Sequence, residues 1–205
     1  PYYTTAIDKN SYTGSLFGQR SQRYNANYAG AWGRTDYKFH SEMISSKPTE
    51  IFYQPVASDM YASDKMKEAL LKDIIISPVS NRGKYRYSCL NFILLKEAIE
   101  NISGLNLDTY VRTNFFDKLG ANSTPYLPLR YIPKEVIAPT EIDPFFRKQH
   151  LLGYVHDEGA ALFGGISGNA GLFSNANDLA KLYQMWLNGG EYGGERYLSE
   201  ESIKL

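Results

Sequence analysis

Apolar residues recur at helical spacing in four segments of the chain, and each segment has residues that begin or end helices at its borders. Ser63, Ser88 and Asn175 stand at three N-termini, where a side-chain oxygen can accept a hydrogen bond from the first turn. Gly104 follows the second segment, where glycine readily takes the left-handed turn that ends a helix. The pattern predicts helices over 63–77, 89–102, 107–119 and 175–187.

The second of these helices, 89–102, has apolar residues around so much of its circumference that we expect it to be deeply buried.

The remaining sequence is irregular. Five prolines predict a loop excursion over 121–150, and 192–197 predicts a tight hairpin. Residues 1–60 are rich in Tyr, Ser, Asn and Gly, and they predict an irregular segment that wraps the scaffold, with one short strand at 50–53.

The pattern therefore predicts a fold that is mainly α with irregular loops and few short strands. We divide the chain into the irregular segment 1–60 and a helical region, 61–205, that forms an incomplete domain. A helix start at Ser199, about one turn before Leu205, favours the interpretation that the chain is an excerpt of a longer protein.

A glycine-dense turn at 164–174 is the most informative stretch, since four glycines in eight residues allow close approach of backbone or ligand. It does not match a nucleophile elbow, because Asn169 stands where Gly-x-Ser-x-Gly requires the last glycine. Its spacing also fits neither the dinucleotide fingerprint nor the phosphate loop. We interpret it as the wall of a cleft.

Composition and charge exclude several classes of function. Lys plus Arg equals Asp plus Glu at 22 each, which disfavours a nucleic-acid surface or a polybasic membrane anchor. No apolar run is long enough to span a membrane. His150, His156, Asp157 and Glu158 are close in sequence but lack the spacing of a zinc site, so we expect no metal and no cofactor.

Tyr87 lies directly before a predicted helix N-terminus, where the helix dipole favours an anion. A phenol there is a candidate general base, with its pKa drawn down toward ionisation. The chain has 17 tyrosines, so a tyrosine that merely packs beside a helix cap remains an alternative.

Several motifs together resemble one superfamily, the serine β-lactamase-like hydrolases, with class C β-lactamases, D-alanyl-D-alanine carboxypeptidases and esterases among its members. The resemblance rests on Tyr-Ser-Cys-Leu-Asn-Phe at 87–92, on the helical stretches 99–104 and 107–120, and on 153–158 and 164–174. It covers about 60–205. The Val-His-Asp sequence at 155–157 is similar to β-lactamase-like domains that are fused to family-3 glycoside hydrolases.

The resemblance implies the helical region of the α/β β-lactamase/transpeptidase-like fold, and a nucleophilic Ser in an S-x-x-K helix, a tyrosine in the second motif and a K-T-G strand. Of these, this sequence has only the tyrosine, Tyr87; it contains neither S-x-x-K nor K-T-G, and we expect both to lie outside 1–205. The resemblance further implies substrate binding by Cys89, Asn91, Asn169 and Gly171. Cys89 departs from the usual Asn or Asp of the second motif, and Asn169 replaces a frequent His.

We therefore expect a fragment of a serine hydrolase that forms an acyl-enzyme on an ester or amide bond in its full-length parent and is inactive as an excerpt. The alternative is an inactive binding or scaffolding module for cell-wall fragments or a fused glycosidase. The resemblance implies a periplasmic or cell-envelope location. It also implies a small-molecule or peptidoglycan-derived substrate and allows a fused glycoside hydrolase domain, with neither nucleic acid nor a membrane span involved.

Overall fold

The computed structural model describes residues 39–77, 83–85, 87–144 and 146–205. Most of the predicted irregular segment, residues 1–38, lies outside the described residues. The helices are α1 (Asp64–Ile76), α2 (Cys89–Ser103), α3 (Leu107–Val111), a π-helix (Arg112–Phe116), α4 (Asp117–Leu119), α5 (Glu158–Leu162), α6 (Ala176–Leu187) and α7 (Glu200–Lys204). Two 3-10 turns occupy Pro128–Arg130 and Lys134–Val136. No helix among these is long and apolar enough to cross a membrane.

A three-stranded antiparallel sheet precedes α1, where the sequence pattern predicted a single short strand. Its strands are β1 (Ile44–Ser45), β2 (Phe52–Ala57) and β3 (Met60–Ser63), in the spatial order β1-β3-β2. The register shifts twice along β2, around Pro55 and its neighbours, which breaks the alternation that marks a regular strand. The main core lies between this sheet, α1, α2 and α5, and it contains fully buried Val56, Met66, Leu70, Ile93 and Leu162.

The predicted start and end of α2 are confirmed. The Ser88 hydroxyl accepts a hydrogen bond from the Leu90 N–H, and Gly104 takes the left-handed conformation with φ 69°. The prediction of deep burial is wrong for the described residues. Only Ile93 and Lys96 are buried in α2, and Ile102 is 88% exposed, because a single face of this helix packs on the described core.

A second, smaller core joins the helical run 107–119 to α6. Phe116, Leu119, Ala121 and Met185 are buried together there. The helix over 107–119 is confirmed, although its central turn is π-helical rather than α-helical.

Helix α6 begins as predicted, since the Asn175 side chain accepts a hydrogen bond from Asp178 N–H at 2.9 Å. The hairpin that follows it pairs β6 (Glu191–Tyr192) with β7 (Glu195–Arg196).

The proline-rich stretch 121–150 is more regular than predicted, since β4 (Pro139–Asp143) and β5 (Gln149–Leu152) form an antiparallel pair. The Arg147 side chain, fully buried next to this pair, explains the stability of the segment. Its guanidinium donates to Asp143 at 2.8 Å, to Glu141 at 2.9 Å, and to the carbonyls of Val155 and His156. Periodicity carries no signal for such a polar centre.

The buried charge of Asp143 depends on this arrangement. Burial alone would raise the pKa of Asp143, but hydrogen bonds from the Arg147 guanidinium and from the backbone N–H groups of Phe146 and Arg147 outweigh it and lower the pKa. The carboxylate is therefore ionised and fully enclosed, a state that is costly without its partner.

Replacing Arg147 by Met should lower the free energy of unfolding by about 3–5 kcal/mol, because it leaves a buried carboxylate without its cation. Urea denaturation followed by circular dichroism measures the loss. Arg196→Met is the matched control, since Arg196 pairs with Glu191 at the surface and its loss should cost less than about 1 kcal/mol. Equal losses in the two variants would contradict this account of Arg147.

Candidate active site

Tyr87 lies at the N-terminal end of α2, immediately before the capping residue Ser88. Its ring is 61% exposed and packs against the Phe92 ring, with the ring centroids 5.6 Å apart. The half-buried thiol of Cys89, two residues further along, has the largest influence on the pKa of this phenol. The phenol is thus fixed by α2 on one side and open to solvent on the other.

The structure reverses the expected direction of the Tyr87 pKa. Negative charge on Cys89 is the largest cause and raises it, followed by partial removal from water, a further contribution of the Cys89 thiol, and the charges of Tyr85 and Asp157. The expectation that the helix dipole would lower this pKa is therefore wrong for the described surroundings. The dipole effect is small at an exposed position, whereas the neighbouring acidic groups act at short range.

The glycine-rich turn meets α2 backbone to backbone. A Cβ atom on Gly168 would lie 2.0 Å from the Phe92 carbonyl oxygen and 3.2 Å from the Lys96 Cβ. No side chain fits at that distance, so glycine is required for the turn to lie on the first turns of α2. The ring of the same Phe92 packs against the Tyr87 ring. Phe92 therefore contacts the turn through its carbonyl group and Tyr87 through its side chain.

Lys96, which lies next to this contact, is buried and belongs to a cluster of ion pairs. Its ammonium lies 2.7 Å from Glu100 and 3.1 Å from Glu97, and Lys67 of α1 pairs with Glu97 at 3.1 Å. Burial alone would raise the pKa of Glu100, but the hydrogen bonds from Lys96 and from Leu107 N–H and the charges of both lysines lower it. The cluster links α1 to α2 close to the place where α2 meets the turn.

Asn169 is held by polar contacts at both ends of its side-chain amide. Its Nδ2 donates to Asp157 Oδ1 at 3.2 Å, and its Oδ1 accepts from the buried Ser167 hydroxyl at 2.7 Å. Asp157 also caps α5 through Ala160 N–H at 2.8 Å. The charge of Asp157 also acts on Tyr87, and it is the weakest of the influences that raise the pKa of Tyr87.

Gly171 lies at the far side of the turn from Tyr87. Its φ is 117°, and a Cβ there would lie 2.3 Å from the Gly165 carbonyl oxygen and 3.1 Å from the Tyr126 ring. It is buried between these neighbours. Asn91 lies in the first turn of α2 with its side chain exposed. The structure thus places Tyr87, Cys89 and Asn91 at the N-terminal end of α2 and Asn169 and Gly171 in the glycine-rich turn, with Gly171 buried in the packing of the turn.

Sequence reasoning missed two residues of this arrangement. Asp157 was considered as a metal ligand and as part of the Val-His-Asp sequence, although an Asp before a small apolar run is a typical N-cap signal that could have identified its role. Phe92 had no signal beyond its place in the motif. Among the described residues, no group of three or more His, Cys, Asp or Glu side chains is placed to hold a metal ion.

Comparison with known proteins matches the family model described as Beta-lactamase to residues 44–204. A putative D-alanyl-D-alanine carboxypeptidase of Escherichia coli (strain K12) is 36% identical over 164 residues, covering 73% of this chain and 37% of that protein. A protein with the same description from Salmonella gallinarum is 38% identical over 135 residues, covering 60% of this chain and 31% of the relative. The chain therefore spans about a third of the length of these relatives.

Two solved structures are similar at low sequence identity. One is a D-amino acid amidase from Ochrobactrum anthropi SV3, with 16% identity, a TM-score of 0.49, and coverage of 78% of this chain and 44% of that chain. The other is a penicillin-binding protein from Bacillus halodurans, with 16% identity, a TM-score of 0.49, and coverage of 80% and 48%.

The influence of Cys89 on Tyr87 can be tested by titration. In this chain the pKa of the Tyr87 phenol should lie above the ordinary value of tyrosine, and Cys89→Ala should lower it because it removes the contributions of the thiol. The measurement is the ¹³Cζ chemical shift of labelled tyrosine, assigned by difference with Tyr87→Phe. Asn91→Ala, on the same helical turn, is the control that should leave the titration midpoint unchanged. A midpoint that does not move in Cys89→Ala would refute this account of the raised pKa.

Proposed function

The chain belongs to the Beta-lactamase family, and from this premise we propose that it is the tyrosine-bearing helical part of a serine hydrolase. In the full-length protein this enzyme would cleave an ester or amide bond through an acyl-enzyme. The observation that carries the proposal is the position of Tyr87, fixed at the N-terminus of α2 by its packing on Phe92, whose carbonyl oxygen lies against Gly168 of the glycine-rich turn.

Tyr87 would transfer the proton between the nucleophilic Ser and the leaving group. The Ser and its Lys partner would come from residues outside 1–205, since the sequence contains no S-x-x-K. The raised pKa of Tyr87 is consistent with a Lys partner that lies outside 1–205. An ammonium group close to the phenol would favour the phenolate, and the described residues around Tyr87 instead include acidic groups. The tyrosine would become an effective base only beside that Lys.

The glycine-rich turn would form one wall of the cleft. Asn169 would hold the turn in register through Asp157 and Ser167, rather than contact substrate with its occupied amide. Cys89 and Asn91, on the exposed first turn of α2, would then be the side chains nearest to a substrate beside Tyr87.

The substrate class that we propose is a peptidoglycan-derived peptide ending in D-alanine. Support comes from the relatives described as putative D-alanyl-D-alanine carboxypeptidases. Such a substrate places the enzyme in the periplasm or cell envelope, and the Val-His-Asp sequence leaves room for a fused glycoside hydrolase domain in the parent protein.

Tyr87→Phe in the full-length protein should reduce acylation roughly 10²- to 10⁴-fold, because it removes the proton-transfer group and keeps the ring that packs on Phe92. Acylation is measured as the rate of labelling by a fluorescent penicillin and as kcat/KM on a peptide ending in D-Ala-D-Ala. Tyr85→Phe is the matched control, since Tyr85 is almost fully exposed two residues earlier, and it should leave both rates unchanged. The 205-residue chain alone should not be labelled.

Unchanged acylation in Tyr87→Phe would overturn the role of Tyr87. Labelling of the 205-residue chain would overturn the proposal that the nucleophile lies elsewhere.

A second function, a non-catalytic binding module for cell-wall fragments, is favoured by one observation. Cys89 replaces the Asn or Asp of the second motif, and its thiol is the largest influence that raises the pKa of Tyr87. A thiol is a weak hydrogen-bond donor and acceptor, so it cannot reproduce an amide contact with substrate.

Cys89→Asn discriminates between the two functions. For a hydrolase it should increase kcat/KM on the D-Ala-D-Ala peptide about five- to tenfold, the value of one restored hydrogen bond, while Cys89→Ala should not. For a binding module, neither the wild type nor Cys89→Asn would be labelled by penicillin, and muropeptide binding would still shift the Tyr87 and Phe92 resonances.

A further inference from the structure

A cavity of about 200 Å³ lies between the helical run 107–119 and the segment 121–131. Its volume is below the roughly 300–1,000 Å³ typical of drug-sized ligand sites, so it suits a small molecule. Phe116, Tyr126 and Tyr131 supply aromatic surface to its walls.

The π-helix gives the cavity its shape. Arg112 and Phe116 are the first and last residues of this turn, and both line the cavity. π-Helical turns interrupt the regular spacing of side chains on a helix, and they occur frequently at functional sites. Here Phe116 packs in the second core, and the same residue together with Arg112 lines the cavity.

Negative charge predominates on the cavity wall. Asp108 and Asp117 line it together with one cation, Arg112. The Arg112 guanidinium lies 5.8 Å from the centre of the Tyr131 ring, stacked at the rim. Asp108 has one oxygen bound to Thr109 N–H at 2.8 Å.

The Tyr126 phenol lies close enough to Asp108 to feel its charge. Burial, followed by the charge of Asp108, raises the pKa of Tyr126 to about 12. The phenol is a hydrogen-bond donor, and Tyr126 and Asp108 both line the cavity.

The cavity wall is continuous with the glycine-rich turn. The Tyr126 hydroxyl donates to the Ser167 carbonyl at 3.2 Å, and Phe173 N–H donates to the Pro125 carbonyl at 3.0 Å. Thr124 and Ser174 share a hydrogen bond of 2.8 Å between their hydroxyls. A ligand against 124–126 thus contacts the segment that holds both ends of the turn.

We propose that this cavity is an accessory binding site for a small primary amine with an apolar body. The ammonium group pairs with Asp108, and the apolar body packs against Phe116 and the rings of Tyr126 and Tyr131. An ammonium beside a carboxylate and aromatic faces gains from charge pairing and from cation–π attraction, whereas a neutral molecule of the same shape gains only from burial. The site is separate from Tyr87 and independent of whether the protein is a hydrolase.

Phenethylamine is the probe, titrated into the intact protein and followed by ¹H–¹⁵N chemical shifts and by calorimetry. It should shift the amide resonances of the cavity wall and, through Tyr126, those of 165–173. 2-Phenylethanol and 3-phenylpropionate, the neutral and anionic analogues, should bind roughly tenfold more weakly or worse, as expected for loss of a charged hydrogen bond.

Asp108→Asn keeps the acceptor for Thr109 N–H and removes the charge, so it should weaken phenethylamine binding about tenfold or more. Glu135→Gln, an exposed carboxylate on the 3-10 turn Lys134–Val136, is the control that should leave binding unchanged. Tyr126→Phe should retain binding but lose the shifts in 165–173, because the contact with Ser167 is gone. The proposal is overturned if phenethylamine does not bind, if the alcohol binds equally well, or if Asp108→Asn binds like the wild type.

Discussion

The close approach of Gly168 to the Phe92 carbonyl determines where everything else at the candidate site lies. Two backbones meet there at a distance that excludes even a methyl group. Because protein interiors are close-packed and deform little, such a contact fixes the turn relative to α2 more strictly than a contact between side chains would. Tyr87 packs on the ring of the same Phe92, so this residue also fixes the position of Tyr87 relative to the turn.

A second layer of polar contacts keeps the turn in that position. Arg147 holds the carbonyls of Val155 and His156, which fixes the backbone immediately before Asp157. Asp157 then holds Asn169 and the N-terminus of α5. A buried polar network of this kind is stabilising only when its members are satisfied together, and Arg147 is the member with the most partners. The site therefore depends on a residue that belongs to the β4–β5 segment and never approaches Tyr87.

Local sequence signals predicted the parts of the fold that depend on neighbouring residues. Ser88, Asn175 and Gly104 occupy the cap positions expected of them, since capping involves only one turn of chain. The burial of α2 was mispredicted for a different reason. An apolar pattern shows that a surface tends to be covered without showing what covers it, and the described residues cover one face of α2. The Arg147 centre escaped prediction because its partners lie on strands and loops with no common period.

At the candidate site, too, the sequence predicted local features and failed for those that depend on the surroundings of a residue. The family motif located Tyr87 and the glycine-rich turn, but the sequence could not give the sign of the Tyr87 pKa shift, which depends on what surrounds the hydroxyl. Tyr87 is exposed and has a thiol and acidic groups for neighbours, so the described residues favour its neutral form. In the proposed hydrolase, a tyrosine base would need a cation supplied to it, whereas a neutral phenol could still donate a proton without one. The described residues hold Tyr87 at the start of α2 and leave most of it exposed, so the proposed Lys would approach it from that exposed side.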